Sequence, residues 1–284
     1  MLPNFLIVGA FKSGTTSLYE YLRPHPEIFM ATPKELNYFS FDRRWAWGPT
    51  WYERHFKGAS GAPAIGEASP SYTQVLRRET ALERIAATLP GIRMIFLARH
   101  PIARARSSYI HVVSEGREHR PIDQVLVEHS EFVDQGLYGR TVDDLLGIVD
   151  RDRLLVLRSE HLRLDARATL ARVHRFLGVE PIDSPVLGKQ FNRAEDRPPV
   201  KRRTVRAISE VRPLVRLGEA LPAWSKPALH RLTRREPAEV DAEIDAAVGA
   251  RLIDYLRDDI RAFGRFLGED LSAWEQWPPP DGMA

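Results

Sequence analysis

The stretch NFLIVGAFKSGTTSLYEYLRPHP, residues 4–26, constrains this chain more than any other. A short β-branched and aromatic run, Phe5–Val8, reads as a buried strand. A loop rich in Gly, Ser and Thr follows. From Ser13 to Arg23, apolar Leu18, Tyr21 and Leu22 recur at helical spacing until Pro24 and Pro26 stop the pattern. A strand that ends in a tight glycine turn and feeds a helix N-terminus makes an anion cradle. The backbone N–H groups of residues 13–17 converge, and the helix dipole adds partial positive charge. Ser13, Thr15, Thr16 and Ser17 supply hydroxyl donors, Gly14 supplies the turn, and Lys12 supplies a mobile cation. The order is not that of the ATP-binding loop, which closes on Gly-Lys-Ser/Thr. Here Lys12 precedes Gly14 and Thr15 follows it.

The rest of the chain alternates in the same way. GIRMIFLARHP predicts a strand at Met94–Ala98 that ends at Arg99. Pro101 then opens a helix, as proline at a first turn does, and Ile102–Val113 continues it. RDRLLVLRSEHL predicts a third strand, Leu154–Leu157, and DARATLARVHRFLGVEP a helix that Gly178 stops. Residues 241–267 carry a long helical pattern. Strands alternating with helices imply an α/β fold, a parallel central sheet flanked by helices around a P-loop-like strand–loop–helix. The 284 residues, 43% hydrophobic and 28% charged, fit one domain spanning 1–284, with residues 193–237 as a basic helical insertion. The aromatic stretch at 40–62 reads as an irregular lid or substrate wall.

Composition removes several function classes. The chain has no cysteine, so disulfide frameworks and thiol chemistry are excluded. No carboxylate–histidine cluster has metal-ligand spacing, so no metal is expected. The basic stretch 198–235 lacks the interleaved aromatics of a stacking platform, so no nucleic-acid partner is expected. The N-terminus lacks a basic n-region, and no window reaches the ~20 apolar residues of a spanning helix. The expectation is a soluble, cytoplasmic protein without a transmembrane segment. Net charge is only +3, yet arginine far outnumbers lysine, a bias that fits a GC-rich genome.

At FKSGTT the chain resembles the sulfotransferases that use 3′-phosphoadenosine 5′-phosphosulfate (PAPS), whose 5′-phosphosulfate loop reads K-[ST]-G-T-T. Three further segments stand in the family's order. PKELNYF at 33–39 is similar to the PKE-xx-F segment of the heparan-sulfate-type members, and GEASPSY at 66–72 to their E-K-[ST]-P-x-Y segment. FLARHPIARARSSY at 96–109 resembles the second cofactor element, R-[DN]-P…R…S, with His100 in place of the usual Asp or Asn. GLYGRTVDDLL, LLVLRSEHL and LGEDLSAW fit bacterial members.

The resemblance implies PAPS as sulfuryl donor, no metal, and a small-molecule, glycan or glycolipid acceptor sulfated at a hydroxyl or amine. It implies that Arg99 and Ser107 hold the 3′-phosphate and that Lys12 neutralises the leaving oxygen. Glu67 follows a strand predicted at Pro63–Gly66, and the resemblance implies that it is the general base, with His111, one helical turn beyond Ser107, as the competing base. Lys34 and Glu35 match a segment that lines the acceptor cleft. Arg193, in GKQFNRAEDRPPVKRR, stands nearest to the family's late cofactor loop. The segments 34–62, 110–137 and 193–237 are expected to shape the acceptor site.

Two other classes compete. An ATP-dependent kinase of the P-loop type requires the Gly-Lys-Ser/Thr order and an acidic metal ligand, which this loop lacks. A non-catalytic module binding a nucleotide or sulfated ligand on the same fold would keep the cofactor shell without a base, whereas Glu67 and Lys12 are both present.

Overall fold

The structure is a computed structural model that describes residues 1–59, 61–189, 191 and 240–280; Arg193 and the basic segment 193–237 lie outside the described residues. Five strands form one parallel sheet: β1 Phe5–Gly9, β2 Ile28–Met30, β3 Ala64–Ala68, β4 Arg93–Ala98 and β5 Leu154–Arg158, in the order β2-β3-β1-β4-β5. Among the described residues the α-helices are α1 Thr15–Leu22, α2 Asp42–Trp45, α3 Pro49–Glu53, α4 Arg78–Thr88, α5 Pro101–Ser114, α6 Ile122–Glu128, α7 Ser130–Asp134, α8 Tyr138–Leu146, α9 Ser159–Leu164, α10 Ala166–Leu177 and α11 Ala246–Leu267. The expected α/β architecture is thus present, and residues 40–62 hold short helices where an irregular segment was expected.

Alternation along β1 sorts the two apolar layers. Phe5 and Ile7 pack with Leu18, Leu22, Val173 and Leu177 of α1 and α10, whereas Leu6 and Val8 pack on the opposite layer with α5, α8 and α11. Because every strand is parallel, all carboxyl ends lie at one edge, where open α/β sheets hold ligands. The long helix α11 closes the second layer. Its Asp259 accepts hydrogen bonds from the Gly139 and Arg140 N–H groups, each at 2.9 Å, at the start of α8.

His100, where the family carries Asp or Asn, caps α5. Its Nδ1 accepts from the Ala103 N–H at 3.4 Å, so Nε2 carries the proton and donates to the Gln276 carbonyl at 3.2 Å. One imidazole therefore caps the helix and ties down the C-terminal segment. Burial, the main cause, lowers the His100 pKa to about 4; His174, also buried, is lowered to about 4. With the folded values depressed, the unfolded chain protonates first as pH falls. The stability contributed by neutral His100 is full above about pH 6.5 and is lost between there and about pH 4. His100→Asn keeps a capping side chain that does not titrate. Urea unfolding at pH 7 and pH 5 should show wild type losing roughly 2 kcal/mol more than the variant. Equal losses would show that His100 does not stay neutral in the folded state.

Candidate active site

The loop after β1 is shaped by a close approach. A Cβ on Gly9 would lie 2.0 Å from Thr73 Oγ1, which itself donates to the Val8 carbonyl at 2.9 Å. Ala10 N–H donates to the Leu97 carbonyl at 2.7 Å and Ser13 N–H to Ala10 at 3.2 Å, so the chain turns within four residues. Lys12 sits at φ 70° and Gly14 at φ 90°, both left-handed. Glycine takes that conformation without penalty, and a lysine there is strained. Helix α1 begins at Thr15, and its first-turn amides have no partner within the helix. Lys12 Nζ lies 5.8 Å from the Phe11 ring centroid. Thr16 and Ser17 are partly exposed, whereas Thr15 is buried. Ser13 is fully buried near the Tyr138 hydroxyl.

Arg99 follows β4 at the same edge. The Tyr138 hydroxyl holds its backbone, donating to the Arg99 carbonyl at 2.8 Å and accepting from the Arg99 N–H at 3.4 Å. Ser107 and His111, four residues apart on α5, are both partly exposed. His111 stacks edge-on against Phe11 of the loop, with centroids 5.4 Å apart, and its Nε2 lies 3.4 Å from Glu115. One side of β1 thus gathers the loop, the Arg99 turn and the inner face of α5.

The other side is built on β3. Glu67 lies inside this strand, opposite Leu6, and not after a strand ending at Gly66. Its side chain is 1% exposed. Tyr72 and Tyr52 donate to Oε1, Tyr52 at 3.2 Å, and Ser69 donates to Oε2 at 2.6 Å. Burial raises the Glu67 pKa, and the hydroxyls of Ser69, Tyr72 and Tyr52 oppose that shift. Both tyrosines are pushed well above their ordinary value, first by burial and then by the neighbouring carboxylate. The Glu35 side chain, by contrast, is 44% exposed and pairs with Lys34 at 2.7 Å. Its backbone N–H donates to the Ala68 carbonyl at 3.0 Å, which fixes it at the carboxyl end of β3.

The structure therefore sets Phe11 of the loop against His111 of α5, holds the Arg99 backbone at the same sheet edge, and encloses Glu67 among hydroxyls on the β3 side. Sequence inspection missed the supporting hydroxyls of Tyr52, Ser69, Tyr72 and Tyr138. Ser69 and Tyr72 lie inside a quoted motif, whereas nothing local marks Tyr52 or Tyr138. Among the described residues, no cluster of His, Asp and Glu could hold a metal ion, and no helix is long and apolar enough to cross a membrane.

Residues 49–184 match the model described as the sulfotransferase family. That match covers just under half of the chain, and across those residues the chain is similar to members of this family. The chain is 38% identical over 111 residues to the membrane-associated sulfotransferase kil1 of Dictyostelium discoideum, covering 38% of this chain and 22% of that protein. It is 30% identical over 188 residues to heparan sulfate glucosamine 3-O-sulfotransferase 6 of Homo sapiens, covering 63% of this chain and 53% of that one. The chain thus spans only a fifth to about half of these curated relatives. The crystal structure of a sulfotransferase from Alicyclobacillus acidocaldarius superposes with a TM-score of 0.70 at 22% identity, covering 97% of this chain and 100% of that one, and so shares the fold.

The contact between Gly9 and Thr73 gives the loop a direct test. Gly9→Ala should destabilise the protein by about 1–3 kcal/mol in chemical denaturation, the usual cost of overpacking. Thr73→Ala in the same chain should recover part of that loss, because the colliding oxygen is gone. Additive losses would show that the two residues do not compete for one space.

Proposed function

We propose that this protein transfers the sulfuryl group of PAPS to a hydroxyl or amine of a small-molecule, glycan or glycolipid acceptor. The observation that carries the reading is the junction at the sheet's carboxyl edge. The N-terminus of α1, Lys12, the Arg99 turn and α5 with Ser107 lie along one side of β1, and the half-exposed Glu35 carboxylate is anchored on the other. That donor set suits a ligand with two separate anionic groups: backbone N–H groups and a lysine for one, an arginine fork and a serine hydroxyl for the other.

PAPS, when bound, supplies an electrophilic sulfur and a nucleotide leaving group. The amides of residues 14–17, with the Thr16 and Ser17 hydroxyls, hold the 5′-phosphosulfate. Lys12 neutralises charge on the bridging oxygen as the sulfur–oxygen bond breaks. Arg99 and Ser107 bind the 3′-phosphate, and the Tyr138 hydroxyl fixes the Arg99 backbone so that the guanidinium meets the phosphate in one pose. The acceptor must lose a proton. We assign that proton to Glu35, the carboxylate that solvent and an acceptor reach, rather than to Glu67, whose oxygens are enclosed by three hydroxyls. His111 lies against the donor loop and is the second candidate for the proton.

Incubation with radiolabelled PAPS and a panel of glycans and metabolite extracts should move label to an acceptor without ATP or magnesium. Transfer that requires ATP and magnesium, and not PAPS, would overturn the proposal. Arg99→Ala should weaken binding of 3′-phosphoadenosine 5′-phosphate roughly 10-fold or more in calorimetry, because a charge-assisted contact is lost. Adenosine 5′-phosphate, which lacks the 3′-phosphate, should bind almost unchanged. Equal losses for both nucleotides would make Arg99 structural. Glu35→Gln should lower turnover by about 10²–10⁴ and His111→Asn far less; the reverse order would exchange their roles.

A further inference from the structure

We propose that Glu67 is a positioning residue: its buried carboxylate orients the Ser69 hydroxyl, which holds the Asn37 N–H and so presents Glu35 to the acceptor. The kinetic half of this inference rests on the sulfuryl-transfer reading; the structural half does not.

The chain of contacts is continuous. Ser69 donates its only hydroxyl hydrogen to Glu67 Oε2 at 2.6 Å. A hydroxyl committed as donor in one direction offers its lone pairs in another. The Asn37 N–H takes that lone pair at 2.9 Å. Asn37 is further tied by its side chain, because Ser71 Oγ donates to Asn37 Oδ1 at 2.6 Å and Ser40 Oγ lies 2.6 Å from Ser71 Oγ. The β3 end of the network is buried: Glu67 is 1% exposed and Ser69 0%.

The loop has reason to need such a lock. Glu35 and Asn37 stand at φ 66° and φ 52°, two left-handed non-glycine residues within three positions. Asparagine tolerates that conformation better than most residues and glutamate does not, so the fold must hold this turn in place. Two anchors do so: Glu35 N–H on the Ala68 carbonyl and Asn37 N–H on Ser69. Both belong to the end of β3, one or two residues beyond Glu67. Between them the Glu35 side chain emerges half-exposed beside Lys34. The groups facing Glu67 are Tyr52 from α3, Tyr72 and Ser69 from the turn after β3, and the more distant charge of Lys34. Three of these are hydroxyl donors that a carboxylate satisfies and a protonated acid does not. An acceptor proton arriving at Glu67 would have to displace one of them.

The test uses the full chain with Ser69→Ala, Ser69→Thr and Glu67→Gln. Hydrogen exchange of the segment 34–40 comes first, because it needs no acceptor. Ser69→Ala deprives the Asn37 N–H of its partner, so exchange there should quicken about 10-fold, the equivalent of one ordinary hydrogen bond. Ser69→Thr should restore protection. Conversion of PAPS to 3′-phosphoadenosine 5′-phosphate, with water as the acceptor, is the second readout. Ser69→Ala should slow it by about 10- to 100-fold, the cost of a misplaced group, while affinity for the product nucleotide holds. Glu67→Gln should slow it comparably and leave the acid limb of the pH–rate profile in place. The inference is overturned if Ser69→Ala exchanges and turns over like wild type. It is equally overturned if Glu67→Gln loses the acid limb, for Glu67 would then take the proton itself. Should Glu67→Gln fail to fold, Ser69→Ala decides alone, because it leaves the carboxylate in place. Wild-type protein that never consumes PAPS would sink the sulfuryl-transfer reading, while the exchange data would still decide the lock.

Discussion

Strand β1 is buried on both faces and paired on both edges, with β3 along one side and β4 along the other. A parallel strand in that position cannot turn back into the sheet. It must leave at the carboxyl edge, and the edge must supply room for a helix to begin. Gly9 is the point of exit, pressed against Thr73 at one side and Phe96 at the other. Everything that bears on chemistry is arranged relative to this exit. The β4 side contributes Arg99 and the face of α5 with Ser107 and His111. The β3 side contributes the Glu67 network and the loop that carries Lys34 and Glu35. On the proposed reading, donor and acceptor would occupy opposite flanks of one loop because one central strand has two neighbours.

Buried polar groups do much of the positioning. Tyr138 fixes the backbone of Arg99 from below. His100 caps α5 and binds the C-terminal segment with the same ring. Glu67 draws three hydroxyls from two separate segments into one knot. Each group costs desolvation free energy when buried and recovers it only with its partners in place. Such networks specify one arrangement more strictly than apolar packing does, and they lie directly behind the residues that would touch ligand.

Much of this was legible in the sequence. The first, fourth and fifth strands were expected at Phe5–Val8, Met94–Ala98 and Leu154–Leu157, and each is found within one residue of those bounds. Apolar β-branched runs flanked by glycine, proline or arginine leave few alternatives. The helix after Pro101 was equally plain. The strand before Glu67 was expected at Pro63–Gly66 and instead runs to Ala68, and that difference changed the meaning of Glu67. Placed after a strand, a glutamate is free at the edge; placed within one, it points into a layer. Alternation alone could not show this, because a buried charge breaks the apolar pattern and its partner Tyr52 is distant in sequence. Glu35 was named only as part of a cleft-lining segment, for another reason. Its exposure depends on two left-handed residues and on anchors from β3, which no local pattern encodes. Arg99 and Ser107 could be named together because both lie on one strand–helix unit, whereas Tyr138, whose hydroxyl bonds the Arg99 backbone, comes from elsewhere in the chain.

The central claim is that this edge holds two anionic groups of one nucleotide, a 5′-group on the α1 loop and a 3′-phosphate on the Arg99 turn. Titration calorimetry of the wild-type chain with 3′-phosphoadenosine 5′-phosphate and with adenosine 5′-phosphate, in magnesium-free buffer, measures that directly. The 3′-phosphorylated nucleotide should bind at least about 10-fold more tightly, the value of one charge-assisted phosphate contact. Equal affinities, or binding only of a nucleoside triphosphate with magnesium, would contradict it.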